Sequence, residues 1–358
     1  SPRVKRGLAI TPVKFGISFT ATFLNQAGAL VLVYRDGTVH VNHGGTEMGQ
    51  GLYTKLRGVA MRELGVSAES VRVMKTQTDK VPNTSATAAS SGADLNGAAV
   101  KAACVTLRER LAEVAAQMIE QRAGRPMPVS PAAMVFADGL VFAEDQREHA
   151  VPFAEVAERA YLAQVNLSAQ GFYRTPGIGY DRAKGRGKPF YYFAYGAAVC
   201  EVEVDGYSGM KLVRRVDILH DVGDSLNPHI DRGQVEGAFV QGMGWLTGEE
   251  LKWDAKGRLL AHSASTYQIP SIGDAPVEFH VTLLPDAAQP GTIHGSKAVG
   301  EPPLMLAISV REALRDAVAA FGPGDTGPVA LGCPATHEAL FHAVKRERQR
   351  TTTARAAE

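Results

Sequence analysis

The sequence predicts an α+β protein, with two subdomains of mixed sheet and helices packed on one face of each. Three observations predict it. The first half places a hairpin signal ahead of two long helical stripes, from Leu52 and from about Asn96. The second half reads as mainly β until a late helix opened by Pro302-Pro303. The length of 358 residues, against roughly 150 per domain, suggests about two units. The expected divisions are residues 1–150, residues 151–345 and a polar tail, 346–358.

The elements follow in order. Ser1 to Lys14 carries Arg3, Lys5, Arg6 and Lys14, is broken by Pro12 and has no apolar core, so it is no signal peptide. Leu30–Tyr34 and Val39–Val41 flank Asp36-Gly37, a strong hairpin signal. Leu52, Leu56, Val59, Ala60 and Leu64 repeat at helical spacing, and Gly65 stops them. Ser70–Lys75 alternates like a strand. Thr78–Gly97 is small and polar and lets another surface approach its backbone. A long helix runs from about Asn96 to about Arg122, with Val100, Cys104, Leu107 and Leu111 on its stripe and Gly124 at its end.

Pro126, Pro128, Pro131 and Asp138-Gly139 mark a boundary or a surface excursion. A short helix is expected over 153–162, and strands over 190–204, 212–219 and 278–284. Lys184–Lys188 reads as a solvated hairpin tip, and Asp221, Asp224 and Asp231 around Asn227-Pro228 as turn chemistry. The last helix carries Leu304, Ile308, Leu314 and Val318 on its inner face and closes at Gly322-Pro323-Gly324. The tail from Lys345 is expected to fray.

Composition excludes several function classes. Lys plus Arg total 38 and Asp plus Glu 37, a net charge of +1, which argues against a nucleic-acid partner. No apolar run approaches the ~20 residues that span a membrane. The three cysteines, Cys104, Cys200 and Cys333, are far apart in sequence. They form no CxxC pair for zinc or an iron–sulfur cluster and suggest a reducing, cytoplasmic compartment. Without a Gly-x-Ser-x-Gly elbow, an α/β-hydrolase has no support.

Three segments can carry chemistry. The first is His43-Gly44-Gly45-Thr46-Glu47-Met48-Gly49-Gln50-Gly51, directly before a helix. It reads equally as an anion cradle or as a plain glycine-rich turn. Gln50 is its polar side chain best placed for a ligand, and Glu47 is more simply a capping partner. His40 and His43 sit at a strand end, a poor metal pair. The second is Asn83 to Asn96, a solvated linker by composition, yet flanked by apolar residues that would hold it beside a bulky cofactor. The third is Gly295-Ser296-Lys297-Ala298-Val299-Gly300-Glu301-Pro302-Pro303-Leu304. Glu301 is there either a helix cap or a rigidly aimed general base.

These segments together carry a resemblance. Lys14–Thr20, Gly44–Gly51, Pro82–Ser85 leading to Ala88-Ala89-Ser90, Gly171–Pro176, Val235–Gly242 and Ser296–Leu304 occur in that order. From about Pro12 to about Ala335 the chain resembles the molybdenum-binding subunit of xanthine dehydrogenase, within the xanthine oxidase/aldehyde oxidase family of molybdenum hydroxylases. The resemblance implies that water hydroxylates a purine carbon on a sulfido molybdenum cofactor (molybdopterin), with Glu301 taking a proton as general base. Gly49, Gln50, Ala89, Ser90, Gly92 and Gln241 match cofactor-binding positions, with the Ala89 backbone beside the metal. Phe19, Thr20 and Ala88 match the substrate pocket.

The resemblance also implies what lies elsewhere. The chain matches the C-terminal half of that subunit. The family's substrate arginine, a second pocket glutamate, a further stacking phenylalanine and another glycine-rich metal loop are then expected upstream. The 2Fe-2S clusters and FAD are expected on other domains or subunits of a hetero-oligomeric enzyme. Two alternatives stand beside xanthine dehydrogenase: another molybdenum hydroxylase such as an aldehyde oxidase, and a non-catalytic phosphate- or nucleotide-binding module built on His43–Gly51. A purely structural subunit is the third.

Overall fold

The computed structural model describes residues 1–123, 129–324 and 328–357. The expected helix end at Gly124 and the prolines Pro126 and Pro128 lie outside the described residues. In chain order the elements are β1 (Val4–Ile17), β2 (Gln26–Val33), β3 (Val39–His43), α1 (Leu52–Leu64), β4 (Val71–Val73) and α2 (Gly92–Ala123). Next come β5 (Met134–Ala137), β6 (Leu140–Ala143), β7 (Val151–Pro152), α3 (Phe153–Leu162), β8 (Ser168–Arg174), β9 (Gly179–Asp181) and β10 (Arg186–Lys188). The chain continues through β11 (Tyr192–Asp205), β12 (Lys211–His220), α4 (Pro228–Thr247), β13 (Glu278–Leu283), a 3₁₀ segment (Pro302–Ala307), α5 (Ile308–Ala319) and α6 (His337–Ala357).

The architecture is α+β. Two four-stranded mixed sheets, in the orders β4-β3-β2-β8 and β1-β11-β12-β13, each carry their own helices and core. In the first, α2 lies on β2 and β8 and buries Val100, Cys104, Leu107 and Leu111. In the second, α4, the 3₁₀ segment and α5 pack on the sheet through Phe239, Leu306 and Leu314, and α6 packs on α5 and adds Leu340 to the core. Glycine sets the approach in both. A Cβ built on Gly171 of β8 would fall 1.9 Å from the Ala99 carbonyl oxygen of α2. One on Gly7 of β1 would fall 2.0 Å from that of Ala313 in α5.

The sheets do not divide the chain at residue 150. β1 pairs with β11 from Val4 opposite Asp205 to Ile17 opposite Tyr192, so the N-terminal segment belongs to the second sheet. β8 returns to pair with β2. β1 is an edge strand, where Pro12 loses no ladder bond, and its charges meet partners: Arg6 pairs with Glu201 and Glu203.

Three other expectations change. The second half also contains α4, begun by Asn227, whose side chain accepts the Ile230 N–H, and by Pro228 in the first turn. Asp231, expected as a turn residue, lies in α4 as a buried ion-pair partner of Lys55, whereas Asp221 does brace its turn, accepting the Gly223 N–H at 3.0 Å, and also pairs with Lys297. The tail expected to fray continues α6, anchored through Leu340, Ala343 and Val344, with Glu347 buried against Arg350. The composition break after α2 leads into the small sheet β5-β6-β7, and the Lys184–Lys188 tip is the β9-β10 hairpin.

Candidate functional site

The three chemistry-bearing segments converge on one cleft of about 310 Å³. It is lined by Met48, Gln50 and Leu52 from the first segment, by Thr87, Ala88, Ser90 and Gly92 from the second, and by Ala298 to Glu301 from the third. Lys55 of α1 and Gln234 of α4 complete its wall. The first residues of α1 and α2 face it, so two helix N-termini contribute positive partial charge.

The first segment is braced from within. Glu47 accepts the N–H groups of Gly49 and Gly51 through Oε1, each at 3.0 Å, and that of Tyr53 through Oε2 at 2.9 Å. Burial works to raise its carboxyl, but these bonds and one from Leu52 outweigh it and hold the group below its ordinary value. Glu47 is therefore the cap of α1. Gln50 accepts from Met48 N at 2.6 Å and donates to the Thr46 carbonyl at 2.8 Å, so its amide first serves the loop. Behind the loop, burial lowers His43 to about 4 against the opposing charge of Glu47. Its Nδ1 accepts the Gly45 N–H at 3.1 Å, and its Nε2 has no partner among the described residues.

The second segment has an unusual backbone. Ala89 and Ser90 are both left-handed, at φ 55° and 53°, a conformation that costs a non-glycine residue about 1 kcal/mol or more. Among the described residues their N–H groups meet no protein acceptor. Thr87 Oγ1 accepts the Thr46 N–H at 2.9 Å and so joins this segment to the first.

The third segment meets the second at Glu301. Its N–H donates to Ser90 Oγ at 3.0 Å, and Ser90 Oγ donates to its Oε2 at 3.1 Å. Oε1 has no partner among the described residues. The carboxylate makes no capping bond to the 3₁₀ segment that it precedes. The cap reading of Glu301 therefore gives way to an exposed carboxylate aimed by a serine from across the cleft.

The floor of the cleft is charged. Lys55 Nζ lies 2.5 Å from Asp231 Oδ1, both side chains buried, and Ser225 donates to Asp231 Oδ2 at 2.5 Å. Among the described residues no group of three or more His, Cys, Asp or Glu could hold a metal ion.

Of the residues expected from sequence, Gln50, Ala88, Ser90, Gly92 and Glu301 line this cleft. Gly49 and Ala89 sit between lining neighbours. Gln241 does not line it and is exposed two turns further along α4. Gln234, seven residues earlier on that helix, does line it, one residue outside the Val235–Gly242 match. Phe19 and Thr20 follow the end of β1 and do not line the cleft either. Phe19 is fixed by Asn25, which accepts its N–H at 2.8 Å and donates to its carbonyl at 2.9 Å. Lys55 and Asp231 were not anticipated as a pair, since 176 positions separate them.

The chain is 47% identical over 341 residues to "Xanthine dehydrogenase/oxidase" of Gallus gallus, covering 95% of this chain and 23% of that protein. It is 48% identical over 319 residues to "Xanthine dehydrogenase" of Dictyostelium discoideum, covering 88% and 21%. The chain thus spans under a quarter of the length of these relatives. Among solved structures, quinoline 2-oxidoreductase from Pseudomonas putida 86 superposes with a TM-score of 0.80 at 25% identity, covering 96% of this chain and 42% of that one. A Cu,Mo-CO dehydrogenase shares the fold, with a TM-score of 0.79 at 22% identity. Residues 1–276 match the family model described as "Molybdopterin cofactor-binding domain", and the chain belongs to that family.

Proposed function

We propose that this chain is the C-terminal part of the molybdenum subunit of a xanthine dehydrogenase, hydroxylating hypoxanthine and xanthine with water as the oxygen source. The observation that carries the reading is Glu301: one carboxylate oxygen is held by Ser90 and the other has no partner among the described residues, at a cleft walled by backbone donors. The identity to xanthine dehydrogenases over most of the chain supports the purine class.

The residues present fit a molybdenum cofactor. The free N–H groups of Ala89 and Ser90 and the starts of α1 and α2 suit an anionic, polar-edged ligand. Gln50, Gly92 and Gln234, with the Gly49 and Ala89 backbone, would hold it, and Lys55 would lie against it. Gln241, two turns away and exposed, does not line the cleft. When bound, the cofactor supplies the two-electron oxidation and the activated water. Glu301 accepts the proton of the attacking oxygen at Oε1, while Ser90 keeps Oε2 in place. Ala88 borders the purine, and Phe19 and Thr20 receive it from the end of β1.

The remaining substrate grip, the 2Fe-2S clusters and the FAD belong to the rest of a longer, hetero-oligomeric enzyme. We place it in the cytoplasm, in keeping with three free cysteines. Among the described residues no helix is long and apolar enough to cross a membrane. Steady-state turnover by the molybdenum-loaded holoenzyme tests the reading. Xanthine is expected to outcompete an aldehyde in kcat/KM. A preference for the aldehyde would move the chain to the aldehyde oxidases, and a purified complex without molybdenum would overturn the reading.

A further inference from the structure

The segment that carries Glu301 is tied down one residue after another. Ser296 Oγ donates to the Ile293 carbonyl at 2.8 Å, and Lys297 N to the Val222 carbonyl at 2.7 Å. Lys297 Nζ reaches Asp221 Oδ2 at 2.5 Å and the Phe193 carbonyl at 3.1 Å. Ala298 then donates its N–H to the Tyr192 hydroxyl at 2.7 Å. Having accepted that bond, the hydroxyl directs its own proton to Asp94 Oδ2. Tyr192 is the first residue of β11, and Asp94 lies in the first turn of α2. Beyond Ala298, Val299 and Gly300 make no backbone hydrogen bond among the described residues before Glu301 is reached.

These bonds close a ring. Residues 90–94 and 298–301 are joined at one end by Ser90 and Glu301 and at the other by Asp94, Tyr192 and Ala298. One link alone would let the short arm pivot at Gly300, whose φ is +144°. Two links fix both its position and its direction. We propose that Tyr192 and Asp94 form a positioning pair that holds the Ala298 end of this arm and so aims Glu301 into the cleft. The proposal rests on the reading of Glu301 as the proton acceptor.

The pair is built for this fixed role. Tyr192 is buried. Asp94 is partly exposed as a residue, but its Oδ1 is out of solvent and without a partner among the described residues. Burial raises the Asp94 carboxyl to about 7, against the Tyr192 bond and the Lys55 charge. What the hydroxyl needs at position 94 is therefore an acceptor oxygen rather than a charge, and asparagine also offers one.

Tyr192→Phe, Asp94→Ala and Asp94→Asn in the holoenzyme test this, with kcat for xanthine expressed per bound molybdenum. Tyr192→Phe and Asp94→Ala are expected to lower kcat about ten- to a hundredfold, with KM within about threefold of the parent. Asp94→Asn is expected within about threefold of the parent kcat. Parent kcat per molybdenum in Tyr192→Phe, with only Tm or metal content reduced, would overturn the proposal. So would Asp94→Asn as impaired as Asp94→Ala. If Tyr192→Phe does not fold, the comparison of the two Asp94 variants decides. Glu301→Gln measured alongside separates the two levels: its full activity would refute the proton-acceptor reading itself. An inactive Glu301→Gln beside a fully active Tyr192→Phe would refute the positioning pair alone.

Discussion

The Ser90 hydroxyl holds Glu301 at two points, accepting its N–H at 3.0 Å and donating to its Oε2 at 3.1 Å, although 211 positions separate the two residues. Ser90→Ala removes both bonds and leaves the carboxylate free to swing. The expected result is a kcat lower by roughly ten- to a hundredfold per bound molybdenum, since about 1 Å of misplacement costs that much. Steady-state kinetics with metal analysis checks it, and Ser90→Thr, which keeps a hydroxyl, is expected to lie between.

The buried pair Lys55–Asp231 joins α1 to α4 under the cleft. Lys55→Met strands the Asp231 carboxylate, which is 2% exposed, with Ser225 as its remaining partner. A loss of about 3–5 kcal/mol is expected in denaturant unfolding. The double variant Lys55→Met/Asp231→Leu is expected to recover most of it, because breaking a buried pair costs more than replacing it whole.

Acid stability follows from two buried histidines. Burial lowers both His43 and His220 to about 4, and both ring nitrogens of His220 lack partners among the described residues. Below the ordinary value of 6.5 the unfolded chain takes up protons that the folded chain refuses. Stability therefore falls as pH drops from about 6.5 to about 4, by up to roughly 3 kcal/mol per histidine. Denaturant midpoints at stepped pH measure this, and His220→Phe is expected to flatten the slope.

Gly171 marks the closest approach of β8 to α2, where a Cβ would lie 1.9 Å from the Ala99 carbonyl oxygen and 2.7 Å from the Ala103 nitrogen. Both obstacles are backbone, so neither can rotate away. Gly171→Ala is expected to destabilise by about 1–3 kcal/mol, read as a lower unfolding midpoint.

What the sequence made legible depended on local signals. The glycine-rich loop before α1 and the small-residue loop before α2 announce themselves because backbone geometry restricts residue choice there. α1, α2 and α5 were visible through their spacing. β1 was not, since its charged alternation and Pro12 suit an edge strand only once β11 is beside it. α4 hid behind Asn227-Pro228, read as a turn although the same pair starts a helix. Asp231 was misread as a turn residue, and the second role of Asp221 as an ion-pair partner was missed, because Lys55 and Lys297 are remote in sequence. Gln234 fell one residue outside the motif, and helix periodicity from Gln241 would have found it. The Asp94–Tyr192–Ala298 ties span three elements, and no local pattern encodes them.

The central claim is that Glu301 takes a proton during hydroxylation. Glu301→Gln keeps size and hydrogen-bonding capacity but removes the base. In the molybdenum-loaded holoenzyme, kcat/KM for xanthine is expected to fall by several orders of magnitude, with metal content unchanged. Turnover at the parent rate would contradict the account and favour a non-catalytic phosphate-binding role for the cleft.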